Sequence, residues 1–343
     1  MTSFLKSDRS RAVAVWLFAV AALVVAMVVV GGATRLTGSG LSITEWQPIK
    51  GVIPPLNHAE WQAEFTRYQQ IPQYKLLNRG MTLAQFKGIY WWEWSHRLLG
   101  RLIGLVFFVP FVWFLVRREI NQRLAWRLGL IFLLGGLQGF VGWWMVSSGL
   151  ENRLYVAPER LMTHLGVAFV LLGALVWTAL DALAGWARQT LPSPWGTRAL
   201  WLLALIYLQV LLGALVAGNH AGLVYNDWPL FNGRLWPADY AGPGLWATVA
   251  HSLGAVQAHH RMVAYLVLIV TLAMGISARR SSYLAPDTKR LALALMGVVV
   301  LQVLLGIATL MMAVPVALGV LHQLMAAIVF SLAVAFAWRV RRV

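Results

Sequence analysis

The sequence predicts an all-α integral membrane protein of eight transmembrane helices. They form two pseudo-symmetric four-helix bundles, with both termini cytoplasmic. Three observations carry that prediction. The chain of 343 residues is 59% hydrophobic and only 12% charged, against roughly 25% charged in a soluble domain. It contains eight apolar runs of about the 20 residues that a bilayer-crossing helix requires. Motifs from its first half recur in its second. A mean hydropathy of +0.68 excludes an ordinary soluble domain and a disordered chain. Cysteine is absent, which excludes disulfides, thiolate metal sites and cysteine nucleophiles.

The apolar runs lie near 12–31, 92–116, 127–146, 160–181, 198–218, 256–277, 290–312 and 317–338. The first follows Lys6, Arg9 and Arg11, as a signal peptide would. It ends in Gly-Gly-Ala-Thr-Arg with no clear cleavage site, so it reads as a retained span. Basic residues fix the orientation. With an even number of spans, Lys6, Arg9, Arg11, Arg117, Arg118, Arg123, Arg127, Arg188, Arg198, Arg279, Arg280, Lys289, Arg290, Arg339, Arg341 and Arg342 share one side. The short loops of the other side hold only Arg153, Arg160 and Arg234. By the positive-inside rule the first side is cytoplasmic. The net charge of +16 is therefore a topology signature, and the expected partner is the lipid bilayer rather than nucleic acid.

Between the runs, the largest loop, about 32–91, falls outside. Its segment Trp61–Tyr74 reads as an amphipathic helix on the membrane surface. A second outer loop, about 219–255, is rich in Gly, Pro and aromatics, and a linker is expected near 185–198. Many of the 18 tryptophans sit at run ends, as in an interfacial belt. A few of them lining a flat aromatic ligand is the other reading.

The repeat sets the organisation. Leu208–Gly213 and Leu301–Gly306 both read Leu-Gln-Val-Leu-Leu-Gly, and Leu137–Gly142 is a third Leu-Gln-x-x-x-Gly. Gly40-Leu41 and Glu45-Trp46 match Gly222-Leu223 and Asp227-Trp228. His96-Arg97 matches His260-Arg261, and His164 matches His322. Two parallel halves follow, 1–185 and 195–343. Taken alone, the Leu-Gln-x-x-x-Gly copies also read as helix-packing devices.

Histidine inside a bilayer marks function by default. His96, His164, His260 and His322 each fall about four to six residues into an even-numbered run, within roughly 10 Å of its outer end. Paired imidazoles on separate helices of a bundle are a common way to hold haem iron. Zinc fits less well, since each half offers two imidazoles and no acidic cluster. Four structural histidines bonded to neighbouring helices form the alternative. The remaining histidines, His58, His220, His251 and His259, read as surface or structural residues, with His220 the nearest to the proposed level.

The halves differ chemically. Glu93 stands three residues before His96, and Gln257 three before His260. A carboxylate takes a proton or stabilises developing positive charge, and an amide does not take the proton. Pairing of Glu93 with Arg97 four residues on is the competing role. Arg97, Arg101 and Arg261 are candidates to neutralise haem propionates or to snorkel to the interface.

Several stretches together resemble the haem A synthase family: Gly31–Ser42, Glu45-Trp46-x-Pro48, Gly51 with Pro54-Pro55, and Glu93-x-x-His96-Arg97-x-x-Gly100-Arg101. The resemblance covers nearly the whole chain. It implies a membrane oxidoreductase that oxidises a methyl group of haem O to a formyl group, giving haem A for terminal oxidases. It also implies that His96 and His164 flank the substrate iron, that Glu93 is the catalytic carboxylate, and that His260 and His322 are axial ligands of a haem b cofactor. A haem O synthase, oxidase assembly factors and an electron acceptor are implied as partners. The cysteine-free chain is similar to the proteobacterial and mitochondrial branch. Its short N-terminus favours a bacterial inner membrane, with the haem sites near the periplasmic side. From the residues alone, a di-haem b-type electron-transfer protein and a haem transporter or chaperone remain alternatives. If both His96 and His164 bind the substrate iron, no position is open on it. Either one ligand leaves during turnover, or the methyl group is oxidised without oxygen bound at that iron.

Overall fold

Each of the eight apolar runs becomes one long helix in the computed structural model, which describes residues 7–47, 49–184 and 193–341. In chain order the helices are α1 (Ser7–Leu36), α2 (His58–Tyr68), α3 (Pro72–Leu76), α4 (Leu83–Val116), α5 (Gln122–Leu150) and α6 (Pro158–Ala184). There follow α7 (Pro194–Gly218), α8 (Leu245–His251), α9 (Leu253–Arg280), α10 (Pro286–Met311) and α11 (Val316–Val340). All but α2, α3 and α8 are long and apolar enough to cross a bilayer, and the chain is a multi-pass membrane protein. The expected linker near 185–198 falls largely outside the described residues, as do Lys6, Arg188 and Arg342. Its end is visible: Ser193 caps α7 by accepting from the Trp195 N–H at 3.2 Å, and Pro194 opens the helix.

Two expected boundaries move. Helix α4 starts at Leu83 rather than near 92, so His96 lies well inside its helix and not one turn from the start. The cause is a capping box: Thr82 Oγ1 accepts from Gln85 N–H, and Gln85 Oε1 accepts from Thr82 N–H at 2.8 Å. A hydropathy window does not see a helix that begins before its apolar run. The predicted surface helix over Trp61–Tyr74 is instead two helices, because Pro72 lacks an N–H and opens α3. Its apolar face is not laid on lipid. Trp61, Phe65 and Tyr68 are buried with Phe86 and Tyr90 of α4, with Trp61 and Tyr90 edge-on at 4.9 Å.

Helix α1 packs against α4 and α6, and α5 against the same two helices. Likewise α7 packs against α9 and α11, and α10 against those two. Contacts of α6 with α7 and of α11 with both α1 and α6 join the groups. A single apolar core runs through this junction and includes Leu17, Leu172, Leu175, Leu202, Phe330 and Phe336. Glycine lets the helices close there: a Cβ on Gly173 would lie 3.2 Å from the Phe330 ring. At the end of the bundle where α6 finishes, the buried Asp181 carboxylate accepts from Arg127 of α5 at 2.7 Å. It accepts also from Trp338, in the last turn of α11, at 2.8 Å and from Arg341, the residue that caps it, at 2.9 Å. The histidines occupy the opposite end, near the starts of α6, α9 and α11.

Candidate functional site

One cavity of about 1290 Å³ is lined by His96, His164, His260 and His322 together. Ordinary small-molecule sites measure roughly 300–1,000 Å³, so this space suits more than one large ligand. Its wall is mostly apolar and rich in glycine. On the α5 side, Gly135, Gly136 and Gly139 face open space. Each of the four histidines is half-buried. Among the described residues no three His, Cys, Asp or Glu side chains gather as a metal site.

Every one of these imidazoles lies against a glycine of the neighbouring helix. An added Cβ would come within 3.0 Å of His96 at Gly31, 2.9 Å of His164 at Gly142, 3.0 Å of His260 at Gly213 and 2.8 Å of His322 at Gly306. Four residues before three of those glycines stands the motif glutamine. Gln138 donates to the His164 carbonyl at 3.0 Å, Gln209 to the His260 carbonyl at 3.1 Å and Gln302 to the His322 carbonyl at 3.1 Å. The same amides touch the imidazole nitrogens, at 3.2 Å for His164 Nδ1 and 3.0 Å for His260 Nδ1. The Leu-Gln-x-x-x-Gly motif is therefore a histidine cradle as well as a packing device.

The cradle fits a porphyrin iron. An imidazole that binds a metal through one nitrogen donates its other N–H to an acceptor, which fixes the ring. Gln138 Oε1, Gln209 Oε1, Gln302 Oε1 and His322 Nδ1 are buried without hydrogen-bond partners. Three amide nitrogens thus hold three histidines while their amide oxygens stay unpartnered, in a pocket whose apolar wall suits a tetrapyrrole.

Glu93 and Gln257 occupy matched clasps. Glu93 is 3% exposed. Its Oε2 accepts from Ser42 Oγ and from the Ile43 N–H, both at 2.8 Å, and its Oε1 accepts from Arg97 at 2.6 Å. Arg97 also donates to the Ile43 carbonyl at 2.7 Å and the Glu45 carbonyl at 2.9 Å. In the other half, Gln257 Oε1 accepts from Arg261 at 2.7 Å, and Gln257 Nε2 donates to the Ala221 and Tyr225 carbonyls. Arg261 donates to the Tyr225 and Leu230 carbonyls. The expected Glu93–Arg97 pair is present, and both Glu93 and Gln257 border the cavity. Arg97 and Arg261 pin the loops that follow α1 and α7, and Arg101 donates to the Gln47 carbonyl at 3.0 Å.

Of the other histidines, His251 and His259 anchor loops, and His220 lines the cavity. His259 bonds the Tyr240 hydroxyl at 2.8 Å, and His251 lies 3.8 Å from Glu159. His58 begins α2. His220 stands in the left-handed region at φ 53 and packs tilted against Tyr155, ring centroids 4.1 Å apart, across the junction of the halves. Burial first, and then the Arg35 charge, push its imidazole down to about 4. Trp46 and Trp228 border the cavity, and like Trp91, Trp92, Trp126 and Trp143 they are exposed.

Sequence reasoning missed Gln138, Gln209 and Gln302 as histidine partners, though their motif was visible. It also missed Gly31 and Ser42, the latter because its bond to Glu93 joins positions far apart in the chain. Arg35 was missed as well; it crosses from α1 to the Ala217 carbonyl of α7 and lines the cavity.

Comparison with known proteins gives a consistent answer. The family model described as cytochrome oxidase assembly protein matches residues 14–334. A heme A synthase of Caulobacter sp. (strain K31) is 62% identical over 342 residues, covering 100% of both chains. That of Parvibaculum lavamentivorans is 51% identical, covering 98% of this chain and 96% of the relative. That of Brucella ovis is 45% identical, covering 97% and 93%. With its histidine cradles and this full-length similarity, the chain belongs to the heme A synthase family of cytochrome oxidase assembly proteins.

Proposed function

We propose that the protein oxidises the methyl group of haem O to the formyl group of haem A, destined for terminal oxidases. In this reading the half 1–185 binds haem O, with His96 and His164 on either side of its iron and Glu93 as the catalytic carboxylate. The half 195–343 holds haem b through His260 and His322. The observation that carries the reading is a single cavity bordered by two matched histidine pairs, with a carboxylate in one half and an amide at the matched place in the other. The protein sits in a bacterial inner membrane with its termini cytoplasmic and its haem sites near the periplasmic face. It receives haem O from a synthase, passes electrons to an external acceptor and hands product to oxidase assembly factors.

The change is a four-electron oxidation, R–CH3 + H2O → R–CHO + 4 H+ + 4 e−, in which the electrons pass to the external acceptor and positive charge develops on the methyl carbon as each C–H bond gives up its electron pair. Glu93 supplies a fixed negative charge at the cavity wall. Ser42, the Ile43 N–H and Arg97 hold its two oxygens in place, so no reorganisation is needed when charge appears. The apolar wall limits competing water and strengthens that interaction. Haem b, when bound, supplies one-electron transfer.

The test is to express the full chain in a host that makes haem O but no haem A, then extract and chromatograph the haems. Appearance of haem A supports the reading. Bound haem b alone, with fast quinol oxidation, marks an electron-transfer protein, and haem O released unchanged marks a transporter.

A further inference from the structure

Three of the four histidines share a complete cradle and one does not. Counting back four residues from the glycine gives Gln138 for Gly142, Gln209 for Gly213 and Gln302 for Gly306. From Gly31 the same step gives Met27. Methionine has nearly the length of glutamine, but its thioether has no donor and is only a weak acceptor. The substitution is accommodated: a Cβ on Gly100 would lie 3.3 Å from Met27 Cε. The residues one turn after the other three histidines are Ala168, Ala264 and Ala326. Met27 and Gly100 both line the cavity.

The ring of His96 also lies differently. His164, His260 and His322 turn Cε1 and Nδ1 toward their glycine, whereas His96 turns the opposite edge, Nε2 and Cδ2, toward Gly31. Among the described residues no side-chain hydrogen bond holds His96, while a glutamine amide reaches each of the other three. A glutamine amide that holds the histidine carbonyl and ring fixes the imidazole, and loss of such an outer-sphere partner typically weakens metal binding by about 10–100-fold.

We infer that His96 is the exchangeable ligand of the substrate iron, made so by Met27 in the place of a cradle glutamine. The inference rests on the functional reading above. It decides between the two routes that the paired ligands leave: His96 departs, and the face it vacates is the one on the Glu93-bearing helix. His164 stays, held by Gln138. Met27 is a positioning residue acting through His96.

Carbon monoxide binding to the dithionite-reduced full chain tests this without turnover. The protein is purified from a host supplying haem O, and its haems are identified by chromatography. Wild type should bind carbon monoxide at the haem O site and not at the second haem. Met27→Gln should weaken that binding by about 10–100-fold while haem O content is unchanged. Met27→Leu, which matches the bulk and adds no amide, should behave as wild type. The reciprocal Gln209→Met should open the second haem to carbon monoxide, and it decides the matter if Met27→Gln does not accumulate. Unchanged carbon monoxide affinity in Met27→Gln with haem O bound, or an inert second haem in Gln209→Met with its haem retained, overturns the inference. A wild-type protein that carries haem b but no haem O fails differently, because that result removes the functional reading itself.

Discussion

The two halves of this membrane protein solve the same packing problem with different chemistry. In both, an arginine one residue after a histidine ties down the outer loop, and a partner three residues before that histidine completes the clasp. The partner is Glu93 in one half and Gln257 in the other. The clasps differ in hydrogen-bond polarity: Glu93 Oε2 accepts from Ser42 Oγ and the Ile43 N–H, whereas Gln257 Nε2 donates to the Ala221 and Tyr225 carbonyls. The cradles differ in the same sense: the second half has Gln209 and Gln302, whereas the first has Gln138 and Met27. Duplication supplies the scaffold, and the departures from it sit in the half expected to do chemistry.

Ligand removal gives the largest expected effect and tests whether the second half holds its own haem. His260→Ala and His322→Ala should each abolish the haem b absorbance. A normal spectrum in both would break the assignment. Smaller, and aimed at both halves, is filling the cradle. Gly306→Ala places a Cβ 2.8 Å from His322 and should lower haem b affinity by about 10–100-fold, as read by haem retention on dilution. Gly142→Ala places one 2.9 Å from His164 and should lower haem O affinity instead. Loss of the same haem in both variants would contradict the division of labour.

Asp181→Ala should act on both halves alike. It removes the carboxylate to which Arg127, Trp338 and Arg341 donate, a loss of roughly 1–3 kcal/mol. A thermal melt should fall with no selective loss of either haem. The smallest effect concerns His220 at the junction. Its imidazole is neutral when folded and titrates near 4, against 6.5 unfolded. Its contribution is complete above about pH 6.5 and declines as pH falls toward 4. His220→Asn, which tolerates the left-handed backbone, should remove that acid-dependent part, a shift of roughly 1–3 °C. An unchanged pH slope would exclude His220 as its source.

Much of this was legible in the sequence because membrane helices announce themselves by length and apolarity. All eight runs became helices. The start of α4 was not legible, since Thr82 and Gln85 set it through a cap and not through hydropathy. Nor was the inward face of α2, because its aromatic stripe serves equally for lipid or for Phe86 and Tyr90. Within the site, the histidines and the Glu93/Gln257 contrast were visible as a repeat and its exception. The role of the motif glutamines was hidden because each reaches a carbonyl at least 20 positions away in the chain. Met27 was readable in principle: aligning Gly31 with the three motif glycines puts it in the glutamine column, but no Leu-Gln drew attention to α1. The Asp181 junction joins three helices and has no local signature.

The central claim, that a single carboxylate makes one half reactive, is tested most directly by Glu93→Gln. Glutamine keeps the bond to Arg97 but turns an amide NH2 toward the Ile43 N–H, so the haem content of the purified variant is read beside its activity. Chromatography of its extracted haems should show haem O bound and haem A formation reduced by at least about 100-fold. Haem A at the wild-type level from a Glu93→Gln protein would contradict the account.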